Sequence, residues 1–474
     1  MSNDSKSKEM KLASFFNEKT NGKLWHISRT FYYDYRHLLN SFRLPKGKRY
    51  FSLEKKIEKK PVDKAIELMN DLFKENEAII SQKKKIRVGF CVYSSAEWQC
   101  EKVYRYMEAD DRFTPSIILC GLNTDNSLLT NRTYMTTCRY FEEKATYSLD
   151  YYGCEKHSDH DNTLDEYDIL FYFQPSSNYL PEAINFAYRL QNQLMLFVLY
   201  AYKLESGKDV HVKRNLNGVD LLQMFWMHFC TNYPEYLIRK NKKLRAYNAI
   251  VTGLPKIDDL LDKTYETRYE LFKTTSDTKY KIIWAPHFNM EDNMNGTFYE
   301  NYTWFYEYAR THSEYSWIVR PHPRMMKGAL KKGVFESEEA YDEYMDKWDE
   351  LPNARVIPFG DYYDFFDSSD AMITDSLSFI YEYSFTQKPL LVLLPEKPRI
   401  LNEEAEKLVK KGCYSACGSD FESINRFIEE YISDDPIKES RLSAFKEILD
   451  IRGKLGMSTS EYIYKWVCDR IYPK

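Results

Sequence analysis

The sequence predicts two doubly wound α/β domains, each a parallel sheet with helices on both faces, set across a central cleft. Three observations predict it. The chain has 474 residues, too many for one compact core and enough for two such domains with additions. Short apolar, β-rich runs alternate with helical patterns, the rhythm of a parallel sheet. That rhythm occurs twice, with a break near Gly253.

Residues 1–82 read as an N-terminal helical extension, mixed in charge, ending in a helix over Val62 to Ile80 that follows Pro61. Residues 83–250 form the first domain, with strands at Ile86–Val92, Thr114–Leu119, Tyr167–Phe173 and Leu194–Tyr200 and a helix over Ala96–Met107. Such unbroken apolar runs suit strands covered on both faces. Residues 251–440 form the second domain, whose strands are Lys281–Ala285, Ser316–Arg320, Val356–Ile357, Ala371–Thr374 and Pro389–Leu394, with a helix over Phe298–Thr311. Residues 441–474 are C-terminal helices expected to pack back on the first domain.

Composition narrows the function. Hydrophobic residues make up 43%, charged residues 29%, and mean hydropathy is −0.60, values suited to buried sheets under a polar surface. With 67 basic and 71 acidic residues the net charge is −4, and nucleic acid is not expected as a partner. Nine scattered cysteines, of which only Cys413 and Cys417 lie close together, form no zinc-binding pattern, so no metal is expected. The start of the chain lacks a signal-peptide core and no window reaches the ~18–20 apolar residues of a membrane span. The expected location is cytoplasmic, with any membrane contact peripheral through Lys46–Arg49, Lys55–Lys56 and Lys83–Lys85. The 40 tyrosines are read as compositional drift, although a tyrosine suits a sugar groove as well.

The informative residues follow strands, where open parallel sheets hold ligands. Ala285-Pro286-His287 ends one strand and Arg320-Pro321-His322-Pro323 ends the next, which points both imidazoles toward one crevice. Either histidine alone is an ordinary loop residue; two at successive strand ends, one beside an arginine, suggest a site. Phosphoryl transfer needs fixed donors and cations around a charge-laden phosphate, which guanidinium and imidazole supply. The third segment runs from Asp370 through Asp375, Ser376 and Ser378 to Glu382 and Tyr383. There a strand enters a helix whose free N–H groups, with the serine hydroxyls, suit a diphosphate, while Glu382 two turns on suits ribose hydroxyls.

Together these segments resemble the CDP-glycerol glycerophosphotransferase family, the teichoic-acid and capsule polymerases and primases of bacterial cell surfaces. The resemblance rests on Ala285–His287, Thr297–Tyr299, Arg320–Pro323, Asp361-Tyr362, Ser369–Ser376, Ser378-Phe379, Glu382-Tyr383 and Lys388-Pro389, in the family's order. It is weaker over Asp168–Pro175 and Gly253–Asp258. It implies a GT-B fold, with the acceptor on the first domain and the CDP donor on the second. His322 and Arg320 are then catalytic, and Pro286, His287, Arg320, Asp375, Ser376, Ser378 and Glu382 bind the donor. The acceptor hydroxyl attacks the β-phosphorus and CMP leaves. No cofactor or metal is implied, and the acceptor is a surface polysaccharide or a lipid-linked molecule.

One departure stands out. Many members carry a His-Gly-Thr element in the acceptor domain, and the corresponding Leu199–Lys203 contains no histidine. Tyr200 and Tyr202 are the acceptor-side candidates left there, but tyrosine is a weak base at neutral pH. Two further readings stay open: a GT-B transferase using another CDP-polyol or a nucleotide sugar, and a non-catalytic polysaccharide-binding protein.

Overall fold

The computed structural model describes residues 62–473, apart from 122–126, 153–162, 174–188, 203–214, 217–218, 241–247, 269–270, 292–293, 359 and 399–400. The first 61 residues, with the Lys46–Arg49 and Lys55–Lys56 clusters, lie outside the described residues. The first domain opens with helix α1 (Val62–Ile80), then strand β1 (Ile86–Val92), helix α2 (Glu101–Glu108), β2 (Phe113–Cys120), α3 (Ser127–Lys144) and β3 (Leu149–Tyr152). It continues with β4 (Ile169–Tyr172), β5 (Leu194–Val198), a small hairpin of β6 (Asn215–Leu216) and β7 (Val219–Asp220), β8 (Met227–Cys230), α4 (Tyr233–Lys240) and β9 (Ala249–Val251). Its sheet runs β3-β2-β1-β4-β5-β8-β9, all parallel.

The second domain starts with α5 (Ile257–Leu261) and β10 (Tyr280–Ala285), followed by α6 (Phe298–Thr311), β11 (Tyr315–Val319), α7 (Met325–Lys332), α8 (Glu338–Glu350) and β12 (Ala354–Val356). Then come α9 (Tyr363–Ser368), β13 (Ala371–Thr374), α10 (Leu377–Ser384), β14 (Leu390–Leu394), α11 (Glu403–Gly412) and β15 (Tyr414–Cys417). This sheet is also parallel, in the order β12-β11-β10-β13-β14-β15. The chain winds outward from β10 to β12 and returns to the other side at β13, so the crevice between β10 and β13 is the switch point where such sheets bind ligands.

Both sheets are buried on two faces, as the apolar runs require. Ile282, Trp284, Trp317 and Val319 pack on one side of the second sheet, with Phe305 and Trp348 from the helices. Ile283, Ile318 and Met372 pack on the other, with Phe366 and Tyr381. Trp284 stacks on Phe305 with ring centroids 4.5 Å apart, and burying rings of that size contributes several kcal/mol of the drive to fold.

The predicted strands and the helices over Val62–Ile80 and Phe298–Thr311 are present. The Ala96–Met107 helix is divided: a short turn at Ser95–Glu97 precedes α2, because Ser94 caps the turn through Ala96 N–H and the chain is extended at Trp98. Strands β3, β8 and β15 are absent from the sequence reading. Each mixes polar with apolar residues, as in Met227-His228-Phe229-Cys230, and gains strand geometry from the neighbour it pairs with.

The domains meet at the segment after β9. Gly253 adopts φ +87°, a left-handed turn at which a side chain would be strained. The last helix, α12 (Thr459–Ile471), starts against this turn. Thr459 Oγ1 donates to Thr252 O at 2.6 Å, and Asp258 accepts the Ser460 N–H at 2.7 Å. Ile463, Val467 and Ile471 of α12 join the core of the first domain. Lys102 of α2 reaches across to the Asp258 carbonyl at 2.9 Å and to Asp262 at 2.6 Å.

Candidate active site

The site begins with sheet register. Ile283 and Trp284 of β10 lie opposite Ile318 and Val319 of β11, while Ala285 lies opposite Thr374 of β13. His287, His322 and Asp375 therefore leave three adjacent strands at one edge. The two imidazole rings are 5.1 Å apart between centroids, at 71°.

Asp375 ties this edge together. Its Oδ1 accepts the His287 N–H at 2.5 Å; its Oδ2 accepts the Thr297 N–H at 2.6 Å and the Thr297 hydroxyl at 2.9 Å. The carboxylate is 2% exposed, and burial pushes its pKa up to about 6 although three donors pull the other way. Its place is thus underneath the loop that runs from β10 to α6. Thr374 Oγ1 continues the same work, donating to Ala285 O at 2.6 Å and accepting the Ser376 N–H at 3.0 Å. A second clamp joins the two histidine loops, where His322 N–H donates to Pro286 O at 3.3 Å.

Both histidines are held in the same tautomer. The Arg324 N–H donates to His322 Nδ1 at 3.0 Å, and the Asn289 N–H donates to His287 Nδ1 at 3.3 Å. A nitrogen that accepts carries no proton, so each neutral ring bears its hydrogen on Nε2. Burial, with His287, Arg324 and Arg320 nearby, holds the His322 pKa down at about 3. At neutral pH His322 is an uncharged ring that donates from Nε2, the right polarity for a phosphate oxygen.

Arg320 is placed differently from the two-pronged phosphate ligand expected of it. Its Nη1 donates to Ile357 O and its Nη2 to Gly360 O, both at 2.8 Å. The guanidinium is buried between the rings of Tyr362 and Phe365, and burial lowers its pKa to about 10. These bonds make it the residue that shapes the loop after β12.

Helix α10 follows β13. Ser376 precedes its first residue without a side-chain capping bond, and Ser378 is exposed in its first turn. Glu382 is buried on the same helix, where its Oε2 accepts from Tyr362 Oη at 2.6 Å and Tyr363 Oη at 3.1 Å. Lys256, from the inter-domain segment, donates to Tyr362 Oη at 2.8 Å. Thr297, Lys256, Tyr362 and Tyr363 were given no role from sequence. The Thr297–Tyr299 and Asp361-Tyr362 stretches carried part of the resemblance, Lys256 fell in its weaker Gly253–Asp258 part, and nothing marked Tyr363.

The tyrosines offered for the acceptor side separate. Tyr200 is 40% exposed on the first domain. Tyr202 is 8% exposed and stacks on Tyr381 of α10, with centroids 3.4 Å apart at 27°. Tyr202 is a contact between domains rather than a surface facing an open groove. Among the described residues, His228, Cys230 and Glu235 also bring metal-ligand atoms together, all within 4.8 Å of one another. The Glu235 carboxylate is already engaged there, bonded to His228 Nε2 at 2.9 Å and to the Thr231 N–H at 2.7 Å, while Asn232 Oδ1 caps the helix through the Glu235 N–H at 3.1 Å.

Two parallel α/β domains with ligand-type residues at the switch point of the second define a GT-B-like fold. The solved structures agree. A variant of the wall teichoic acid polymerase TagF superposes with a TM-score of 0.55 at 14% identity, covering 91% of this chain and 98% of that one. MnaA of S. aureus with UDP gives 0.51 at 16% identity, covering 82% and 96%. The UDP-GlcNAc 2-epimerase of Neisseria meningitidis gives 0.51 at 14% identity, covering 82% and 100%. Among curated proteins, none matches. The resemblance read in the sequence is borne out at the level of the family: residues 226–408 match the CDP-glycerol:poly(glycerophosphate) glycerophosphotransferase family model, a family of enzymes. The matched segment holds every histidine, carboxylate and serine of the site described above.

Proposed function

We propose that this chain transfers glycerol phosphate from CDP-glycerol to a hydroxyl on a surface-polysaccharide or lipid-linked acceptor, releasing CMP. One observation carries the reading: within the matched segment, His287, His322, Asp375 and the start of α10 converge on the switch-point crevice. In the proposed step the acceptor oxygen forms a bond to the β-phosphorus. The bond from that phosphorus to the bridging oxygen breaks, and its electron pair leaves with CMP. The hydroxyl proton departs to solvent or to a base outside the residues named here. His322 Nε2–H donates to the phosphoryl oxygens and stabilises the charge that builds on them as CMP departs. The reading assigns no metal or cofactor, since the N–H groups of α10 and the two imidazoles meet the phosphate charge.

A second reading changes the donor to another CDP-polyol or a nucleotide sugar. Tyr202 favours it, because its stack on Tyr381 fills the stretch where the family resemblance expects an acceptor-side histidine. A lipid-linked acceptor would bring the chain to the cytoplasmic face of the membrane. The exposed Lys83–Lys85 are suited to that contact, although Lys83 also pairs with Asp168. No helix among the described residues is long and apolar enough to cross a membrane.

The test incubates purified chain with CDP-glycerol or UDP-GlcNAc and a panel of polyol-phosphate and lipid-linked acceptors. Acceptor-dependent CMP release from CDP-glycerol, abolished in His322→Ala, is the expected result. Turnover of the sugar nucleotide alone would select the second reading, and full activity in His322→Ala would remove the proposed role of that histidine.

A further inference from the structure

The two terminal nitrogens of Arg320 each donate to a backbone carbonyl, which leaves the question of which cation meets the donor's phosphates. Lys256 answers it by position. It comes from the segment joining the domains, yet its ammonium lies 2.8 Å from Tyr362 Oη and 4.1 Å from the centre of that ring. Tyr362 follows β12, and its hydroxyl donates to Glu382 of α10. The lysine thus stands one tyrosyl oxygen away from the carboxylate beside the crevice, on the edge where the histidines of β10 and β11 emerge.

The Tyr362 ring stands in a charged neighbourhood that also holds Arg268, Asp361 and Asp364. Lys256 and Arg320 flank the Tyr362 ring, with Arg320 Cζ 5.7 Å from its centre. Glu382 is the carboxylate that Tyr362 and Tyr363 bind between them. Among the described residues Tyr362 Oη is the single hydrogen-bond acceptor of Lys256, and an ammonium has three N–H groups. An ammonium with donors to spare can take a further acceptor, such as a phosphate oxygen, without giving up its bond to Tyr362. The side chain is only partly buried, so its flexible four-carbon stem can swing a short distance without disturbing the core.

We propose that Lys256 is the cation that binds the phosphates of a nucleoside diphosphate donor, and that it thereby links donor occupancy to the inter-domain segment. The proposal rests on the transferase reading above. Arg320 shapes the loop, His287 and His322 supply uncharged donors, and Lys256 supplies the mobile positive charge. Because the neighbouring Asp258 caps α12, a ligand on Lys256 pulls directly on the hinge between the domains.

The experiment titrates the full chain calorimetrically with CDP and with cytidine, and in parallel with UDP and uridine. It compares wild type, Lys256→Met and Lys256→Arg, with melting temperatures as a check on folding. A charge-assisted bond to phosphate corresponds to about 10- to 100-fold in affinity. Lys256→Met should weaken the diphosphate by at least about tenfold, leave the nucleoside within about twofold, and be largely restored by arginine. Equal weakening of diphosphate and nucleoside would mark Lys256 as purely structural, and unchanged diphosphate binding would remove it from the site; either overturns the proposal. Binding of UDP in place of CDP, with the same lysine dependence, would sustain the proposal while sinking the CDP-glycerol reading. A wild-type chain that binds neither diphosphate would overturn both.

Discussion

At the residue scale the site divides into groups that face the crevice and groups that hold them. Asp375 is of the second kind. Asparagine at that position would present an amide N–H to at least one of the Thr297 or His287 donors. Leaving a buried donor unpaired costs about 1–3 kcal/mol, so Asp375→Asn should lower unfolding free energy by that amount in urea titrations and remove turnover as well. His322 yields a prediction with a definite sign. Its pKa is about 3 in the fold against 6.5 for a free imidazole, so the fold favours the neutral ring. The stabilisation is complete above pH 6.5 and is lost as pH falls toward 3, because only the unfolded chain takes up the proton. The slope is at most roughly 1.4 kcal/mol per pH unit. Asp375, whose pKa is raised, contributes in the opposite sense between its ordinary 3.8 and about 6. The measurement is therefore a difference: wild type should lose stability between pH 6 and 4 relative to His322→Asn, and parallel curves would contradict the assigned neutral ring.

At the element scale the crevice depends on how closely α7 approaches the loop after β10. A Cβ on Gly328 would lie 2.0 Å from Phe288 O, backbone against backbone, where no side-chain rotation can relieve the clash. Gly328→Ala should push the helix away from His287 and Phe288 at a cost of about 1–3 kcal/mol, despite alanine's better helix propensity. Thermal unfolding reads this directly, and an alanine variant more stable than wild type would show that the loop yields instead. The reading of elements from sequence was good for strands buried on both faces, such as Ile86–Val92 and Ala371–Thr374, whose apolar runs are self-evident. It failed for β3, β8 and β15, where pairing with a neighbour decides the conformation. Of the site, the strand-end histidines and Asp375 were legible as a cluster, but the roles of Arg320 and Asp375 as loop anchors were not. Which carbonyl or N–H faces a side chain is set by loops that return from distant parts of the chain.

At the scale of the whole molecule, the domains touch through the helix that carries the proposed donor site. Tyr202 follows β5 in the first domain, and its partner Tyr381 immediately precedes Glu382 on α10. An aromatic pair of this kind is worth about 0.5–1.5 kcal/mol beyond the area it buries. Tyr202→Ala should loosen the closed arrangement more than it unfolds either sheet. A larger radius of gyration in solution scattering, with melting of the individual domains little changed, is the expected outcome; an unchanged scattering curve would assign the closure to Lys102 and α12 instead. Other inter-domain contacts include the Lys102 pair with Asp262 and the 3.5 Å pair of Lys144 with Asp361; these ion pairs are salt-sensitive, so the aromatic stack should gain weight at high ionic strength.

The amino-acid order by itself determined that this chain makes two parallel sheets, and that imidazoles and a helix start stand at neighbouring strand ends. Those properties follow from local periodicity and from the rule that ligands lie beyond the carboxyl ends of parallel strands. Only the tertiary structure decided what each polar group does. It spends the guanidinium of Arg320 on two carbonyls, sets both histidines as Nε2 donors, buries Tyr202 between the domains and brings Lys256 beside Glu382. These outcomes depend on contacts between residues as much as 179 positions apart, such as Tyr202 and Tyr381, and no local pattern encodes the geometry in which such partners meet.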